Sequence, residues 1–319
     1  RKRSKVLSAT GKRAARAELE AWRADMEARA ELEGGGRGAI RNQAIADYVR
    51  AYIAGLEEAK AIEPSTVRSY LVSLKYISEG LEGETVGSID AGRVAAWESA
   101  LTRKGFSSST VIKAHNLLKS ALKQAAQRDR AIPHNPVEQV RPPKRSKVHQ
   151  GVNALDPESR TRLLAALDAS APSPMATAAK IALFMGLRVA EVCGLQWRDI
   201  DFAAGTMTVE RAIGNGKGGE YVKRPKTDRT RKLVIPAELL DSLKAWEQTQ
   251  EAEFRAQGHT VERGTYVIGD IVGWAHPQLI SREWRTLAKL LGLKGSEGRR
   301  PTFHDLRHTW ATMALSAGM

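Results

Sequence analysis

Thr302-Phe303-His304-Asp305-Leu306-Arg307-His308-Thr309-Trp310-Ala311-Thr312 is the stretch on which the reading of this chain turns. Thr302 followed by Asp305 is a capping box, which predicts a helix starting at Phe303 and running toward Ser316. Offsets of three and four place His304, Arg307 and His308 on one stripe, while Leu306, Thr309, Trp310 and Met313 form a second stripe that can be buried. One face packs and the other is left for chemistry. A helix N-terminus presents N–H groups and partial positive charge, so a phosphate beside His304 and Arg307 is favoured before any side chain is counted. The bland alternative is a solvated basic helix. A metal site on His304 and His308 is disfavoured, because the glutamate of H-E-x-x-H is absent and Arg307 repels a cation; no metal is expected.

The surroundings of this helix fit a polyanionic partner. The chain has 319 residues, enough for two ordinary cores, and its 50 Lys and Arg against 36 Asp and Glu give a net charge of +14. Nucleic acid is the default partner of such a chain. No apolar run approaches the roughly 18 residues of a membrane span and no signal peptide opens the sequence, so no membrane partner is expected and a cytoplasmic, nucleoid-associated location is. The single cysteine, Cys193, sits in Val192-Cys193-Gly194-Leu195 and reads as a small core residue.

Across the rest of the chain, three regions separate by pattern. Residues 1–38 begin with the basic run Arg1-Lys2-Arg3-Ser4-Lys5, continue as an Ala- and Glu-rich helical stretch, and end in Gly34-Gly35-Gly36-Arg37-Gly38, which predicts a flexible linker. Residues 39–143 repeat apolar positions at helical spacing, with start signals at Pro64-Ser65-Thr66, Asp90 and Ser107-Ser108-Ser109-Thr110; four or five helices are predicted. Pro133, Pro136, Pro142 and Pro143, with Arg141, Lys144, Arg145 and Lys147, predict a basic, extended connection between domains. Residues 144–319 read as mixed α and β: helices over 156–167, 174–187 and on through Glu191, and again over 236–257, 278–291 and the terminal segment. Thr206 to Arg211, Tyr221 to Lys223 and Leu233 to Ile235 are strand-like, predicting one small antiparallel sheet. Gly214-Asn215-Gly216-Lys217-Gly218-Gly219 superficially resembles a phosphate loop, but no Ser or Thr follows the lysine; it predicts a hairpin tip. The fold class is therefore mostly α with a small antiparallel β-sheet, α+β.

Three basic motifs lie in residues 144–319. The first is Gly186-Leu187-Arg188-Val189-Ala190-Glu191, continuing to Trp197-Arg198-Asp199, with Glu191 three residues from Arg188 and able to orient it. The second is Arg224-Pro225-Lys226-Thr227-Asp228-Arg229-Thr230-Arg231-Lys232 between two predicted strands, and the third runs from His304 to Arg307. Together and in this order they resemble the active site of the tyrosine recombinase (phage integrase) family. The helical region is similar to that family's core-binding, SAM-like domain, and residues 10–33 to the end of its arm-binding domain.

The resemblance implies a helical core-binding domain and a catalytic domain that form a C-shaped clamp on DNA. It implies Arg188 and Arg307 as the two arginines that grip the scissile phosphate, Lys226 as the hairpin lysine that protonates the leaving 5′-oxygen, and His304 as the first histidine of the second box. Glu191 and His308 are supporting residues. Lys223 and Lys232 compete with Lys226 for its role. The chemistry suits these residue types: charge builds on the nonbridging oxygens, a guanidinium meets two of them at once, and a lysine among cations has a lowered pKa. No metal and no other cofactor is implied. The family's nucleophile is a tyrosine beyond the second arginine, but Tyr48, Tyr52, Tyr70, Tyr76, Tyr221 and Tyr266 all precede Arg307. The expectation is that none of them attacks, that the nucleophile lies beyond Met319, and that residues 1–319 alone do not cleave. The implied partners are double-stranded DNA at core and arm recombination sites, three further copies of the chain in a homotetramer, and accessory DNA-bending or directionality factors. In the helical domain, Arg68, Thr110, Lys113, Asn116, Lys119 and Lys123 are the candidate DNA contacts. A recombinase-like protein that binds without cutting, and a type IB topoisomerase, are the alternatives.

Overall fold

A computed structural model describes residues 36–144, 151–224 and 230–318, together with residues 16, 18–20 and 22. The chain divides into two compact units, Arg1–Lys147 and Val148–Met319, each around its own apolar cluster.

The first unit is built on α1 (Ile45–Glu58), α2 (Pro64–Gly80), α3 (Ala91–Arg103) and α4 (Ser108–Gln127). The start signals act as caps: Pro64 takes the first turn of α2, Asp90 accepts from Arg93 N–H at 2.7 Å, and Ser107 accepts from Thr110 N–H at 3.2 Å. Val111, Leu118, Leu122 and Ala125 of α4 are fully buried and α4 packs on α2. Two expectations fail here. The described part of the glycine stretch, from Gly36 on, is helical through residue 42 instead of a break. Its glycines cost helix stability, about 1 kcal/mol each, but the turn that follows is fixed when Gly87 N–H and Val86 N–H donate to the carbonyls of Arg41 and Gln43. The proline segment is likewise only partly a connection. Pro136–Gln139 forms a 3-10 turn with Val137 fully buried, and Asn135 donates to the Lys119 carbonyl at 2.9 Å, so these residues belong to the helical core. Arg145 and Lys147 lie outside the described residues.

In the second unit α5 (Pro157–Ala169), α6 (Pro174–Met185), the short α7 (Val189–Val192), α8 (Ala237–Ala256), α9 (Pro277–Leu290) and α10 (Phe303–Ser316) enclose the core. Trp246 and Trp284 are fully buried, yet their indole N–H groups donate to the carbonyls of Val267 (2.7 Å) and Pro301 (3.0 Å), so neither indole donor is stranded. In place of one sheet there are three small ones. β1 (Ile200–Asp201), β2 (Thr206–Val209) and β5 (Arg231–Val234) form an antiparallel sheet in the order β1-β2-β5, with Met207 opposite both Ile200 and Leu233. β3 (Ala212–Gly216) and β4 (Gly219–Lys223) form a separate hairpin turning at Lys217-Gly218, and β6 (Gly269–Asp270) pairs with β7 (Gly273–Trp274). The predicted strand over Thr206 to Arg211 ends early because the Arg211 side chain is drawn to the buried Asp199 and to Glu210.

α10 packs mainly on α6. Phe303 and Leu306 are buried, and Thr309 Oγ1 accepts from Leu155 N–H at 2.8 Å. Met313, expected in the buried stripe, is 38% exposed, because packing is confined to the first two turns and the last turn is exposed.

Candidate functional site

α6 ends at Gly186, whose φ of +64° is left-handed and favours glycine. A Cβ added there would also lie 2.4 Å from the Trp310 ring of α10. The chain then passes through buried Leu187 and makes Arg188 the N-cap of α7. Arg188 N–H donates to Glu191 Oε2 at 3.0 Å, and Arg188 Nη1 donates to Oε1 at 2.9 Å. Glu191 is 1% exposed, and a second guanidinium reaches it: Arg231, the first residue of β5, donates from Nη2 to Oε2 at 2.6 Å. Burial alone would raise the pKa of Glu191, but the bonds from Arg231 and Arg188 hold it below the usual carboxylate range.

Arg307 comes from the second turn of α10 and donates from Nη1 to the carbonyl oxygen of Gly186. Its pKa is pulled down by burial and by the charges of Arg188 and Arg231, against the pull of Glu191. From so high a starting value the guanidinium stays charged. His304 lies one turn earlier and meets His308 edge to face, with ring centroids 4.7 Å apart. Burial lowers the His304 pKa, the charges of His308, Arg307 and Arg188 add to this, and Asp305 opposes it, so the ring is neutral at pH 7. The packing of α10 on α6 thus gathers Arg188, Glu191, His304, Arg307 and His308 from stretches more than a hundred residues apart. The result is a half-exposed cluster of guanidiniums around a single buried carboxylate, suited to an anion with several oxygens.

Lys226 lies outside the described residues. Its two competitors line other surfaces: Lys232 borders a cavity with Phe202 and Arg263, on the strand face opposite Arg231, while Lys223 borders one with Glu210 and Arg211. Arg231 was not among the sequence candidates. Its signal was faint, a basic residue at the first position of a short alternating strand within a run already rich in Arg and Lys.

In the helical unit, Arg68, Lys113, Asn116 and Lys123 are exposed. Lys113, Asn116 and Lys123 share one face of α4, opposite Val111 and Leu118. Thr110 and Lys119 are half-buried; Thr110 is held by Ser107, and Lys119 stands at the edge of that face, its carbonyl taken by Asn135. The tyrosines have other partners: Tyr48 donates to Asp129 at 2.6 Å, and Tyr266 stacks edge to face on Trp274. Among the described residues no cluster of His, Cys, Asp or Glu is placed to hold a metal ion, and no helix is long and apolar enough to cross a membrane.

The phage integrase family model matches residues 153–319. A tyrosine recombinase XerC-like protein of Caldanaerobacter subterraneus is 31% identical over 156 residues, 44% of this chain and 38% of that protein. Tyrosine recombinase XerC of Halalkalibacterium halodurans is 24% identical over 277 residues, 85% of this chain and 84% of that protein. Among solved structures, the Tn1549 transposon integrase in complex with transposon right end DNA superposes with a TM-score of 0.70 at 20% identity, covering 87% of this chain and 88% of that one.

Proposed function

The chain belongs to the phage integrase family of tyrosine recombinases, and from that premise we propose that it is the site-specific integrase of a mobile element, cleaving and rejoining DNA through a 3′-phosphotyrosyl intermediate. The observation that carries the reading is the pair Arg188 and Arg307: Arg307 bonds the carbonyl of Gly186, two residues before Arg188, and Glu191 braces Arg188. In this reading the two guanidiniums bind the nonbridging oxygens of the scissile phosphate and offset the charge that builds as a fifth oxygen approaches phosphorus. A tyrosine hydroxyl attacks phosphorus and gives up its proton to the neutral His304 ring, the bond to the 5′-oxygen breaks, and Lys226 gives that oxygen its proton. His304, neutral before DNA arrives, hydrogen-bonds the phosphate, and His308 packs against it. The 5′-hydroxyl of the partner strand then attacks the phosphotyrosyl bond, so the phosphodiester energy is conserved and no nucleotide cofactor is consumed. We assign the attack to none of the six tyrosines within residues 1–319.

Two duplexes present four strands, each cut once, so four protomers act together on double-stranded DNA. Residues 39–143 serve as the core-binding domain, with Arg68, Thr110, Lys113, Asn116, Lys119 and Lys123 on phosphates, and residues 144–319 as the catalytic domain. The test is a nicked suicide duplex carrying the core site, offered to the intact protein. A covalent adduct is expected, mapped by mass spectrometry to a tyrosine outside those six, and Arg188→Ala or Arg307→Ala lowers its yield by about a hundredfold or more. No adduct, or an adduct insensitive to both substitutions, ends this reading. Strand exchange between two labelled duplexes distinguishes an integrase from a topoisomerase.

A further inference from the structure

Arg231 stands at the clamp without a part in the reaction just described. Its side chain is 29% exposed, and it bonds the same carboxylate as Arg188. Glu191 Oε2 receives Arg231 Nη2 at 2.6 Å and the Arg188 main-chain N–H at 3.0 Å, while Oε1 receives Arg188 Nη1 at 2.9 Å and Arg231 Nη1 at 3.4 Å. Because Arg231 fills Oε2, Glu191 holds the Arg188 side chain by one nitrogen. Among the described residues Arg188 Nη2 and Nε have no hydrogen-bond partner. A buried carboxylate facing a lone guanidinium takes it by two parallel bonds, the preferred fork geometry, and would turn those donors toward itself.

We propose that Arg231 is a positioning residue for Arg188: by occupying Glu191 it limits that carboxylate to a single bond with the Arg188 side chain and leaves the rest of the fork for the phosphate. The inference rests on the reading of Arg188 as a phosphate ligand. It also gives the basic hairpin loop a fixed end, since the strand that follows Lys226 begins at the residue tied to α7.

Orthovanadate, a phosphate mimic, tests the idea on the 319-residue chain by vanadium NMR. Arg231→Gln should weaken vanadate binding about tenfold, at an unchanged melting temperature. Arg231→Lys, which keeps the charge but not the fork, should remain about threefold weaker than wild type. Adding Glu191→Gln to Arg231→Gln should recover most of the lost affinity, because the competing carboxylate is gone. Unchanged binding by Arg231→Gln, or full rescue by lysine, makes Arg231 a background charge and overturns the proposal. A double variant that binds no better, or a single variant that melts early with lysine equally impaired, makes it a structural brace and overturns it too. If Arg188→Gln and Arg307→Gln also leave binding unchanged, it is the phosphate-site reading itself that fails.

Discussion

At Gly186 one residue meets three demands: a left-handed turn, room for Trp310, and a carbonyl for Arg307. Gly186→Ala should cost about 1–2 kcal/mol from the backbone alone and more from the Trp310 contact, read as a lowered urea midpoint. His304 makes stability depend on pH. Its folded pKa lies below the unfolded value near 6.5, so as pH falls from there the unfolded chain binds the proton first and stability is lost until the folded pKa is passed. Urea titrations at pH 5 and 7.5 should show a smaller gap for His304→Asn than for wild type. Cys193 is fully buried, and burial, with Glu220 nearby, pushes its thiol up to about 12. It should resist thiol reagents at pH 8 until the protein is denatured. At this scale the sequence was legible where a motif carried its own geometry. Gly-Leu-Arg-x-x-Glu and Thr-x-x-Asp each state a cap and a charge in one short window. Arg231 was not legible, because its meaning depends on which face of a short strand meets Glu191.

The helices could be read because their caps and apolar spacing agree, as at Asp90, Ser107 and Asp156. The strands could not all be read. β1, β6 and β7 have two residues each, too few for any alternation to stand out, and the break after Val209 is imposed by a long-range ion pair of Arg211 with Asp199. The helix across Gly36 to residue 42 went unread for a similar reason, since the chain after it is fixed by distant partners, the N–H groups of residues 86 and 87. α4 offers a test that belongs to an element. Lys113 and Lys123 are exposed on one face, so Lys113→Glu with Lys123→Glu should leave the melting temperature nearly unchanged. The pair should weaken DNA binding and reduce the slope of log K against log salt by about 2.

Across the whole molecule, a net charge of +14 predicts a steep fall of DNA affinity with salt, and binding independent of salt would contradict a phosphate-based interface. The two units have separate apolar clusters, so residues 39–143 made alone should fold to a helical protein that melts cooperatively, seen by circular dichroism. The bond from Arg307 to the Gly186 carbonyl spans 121 residues of sequence. On the ribosome, at about 5–20 residues per second, Gly186 emerges several seconds or more before Arg307 is even made. The helical unit, with its own apolar cluster, is complete by then, while Arg188 still lacks its neighbour Arg307. Until residue 307 is made, the end of α6 waits without the long-range bond that brings Arg307 to it.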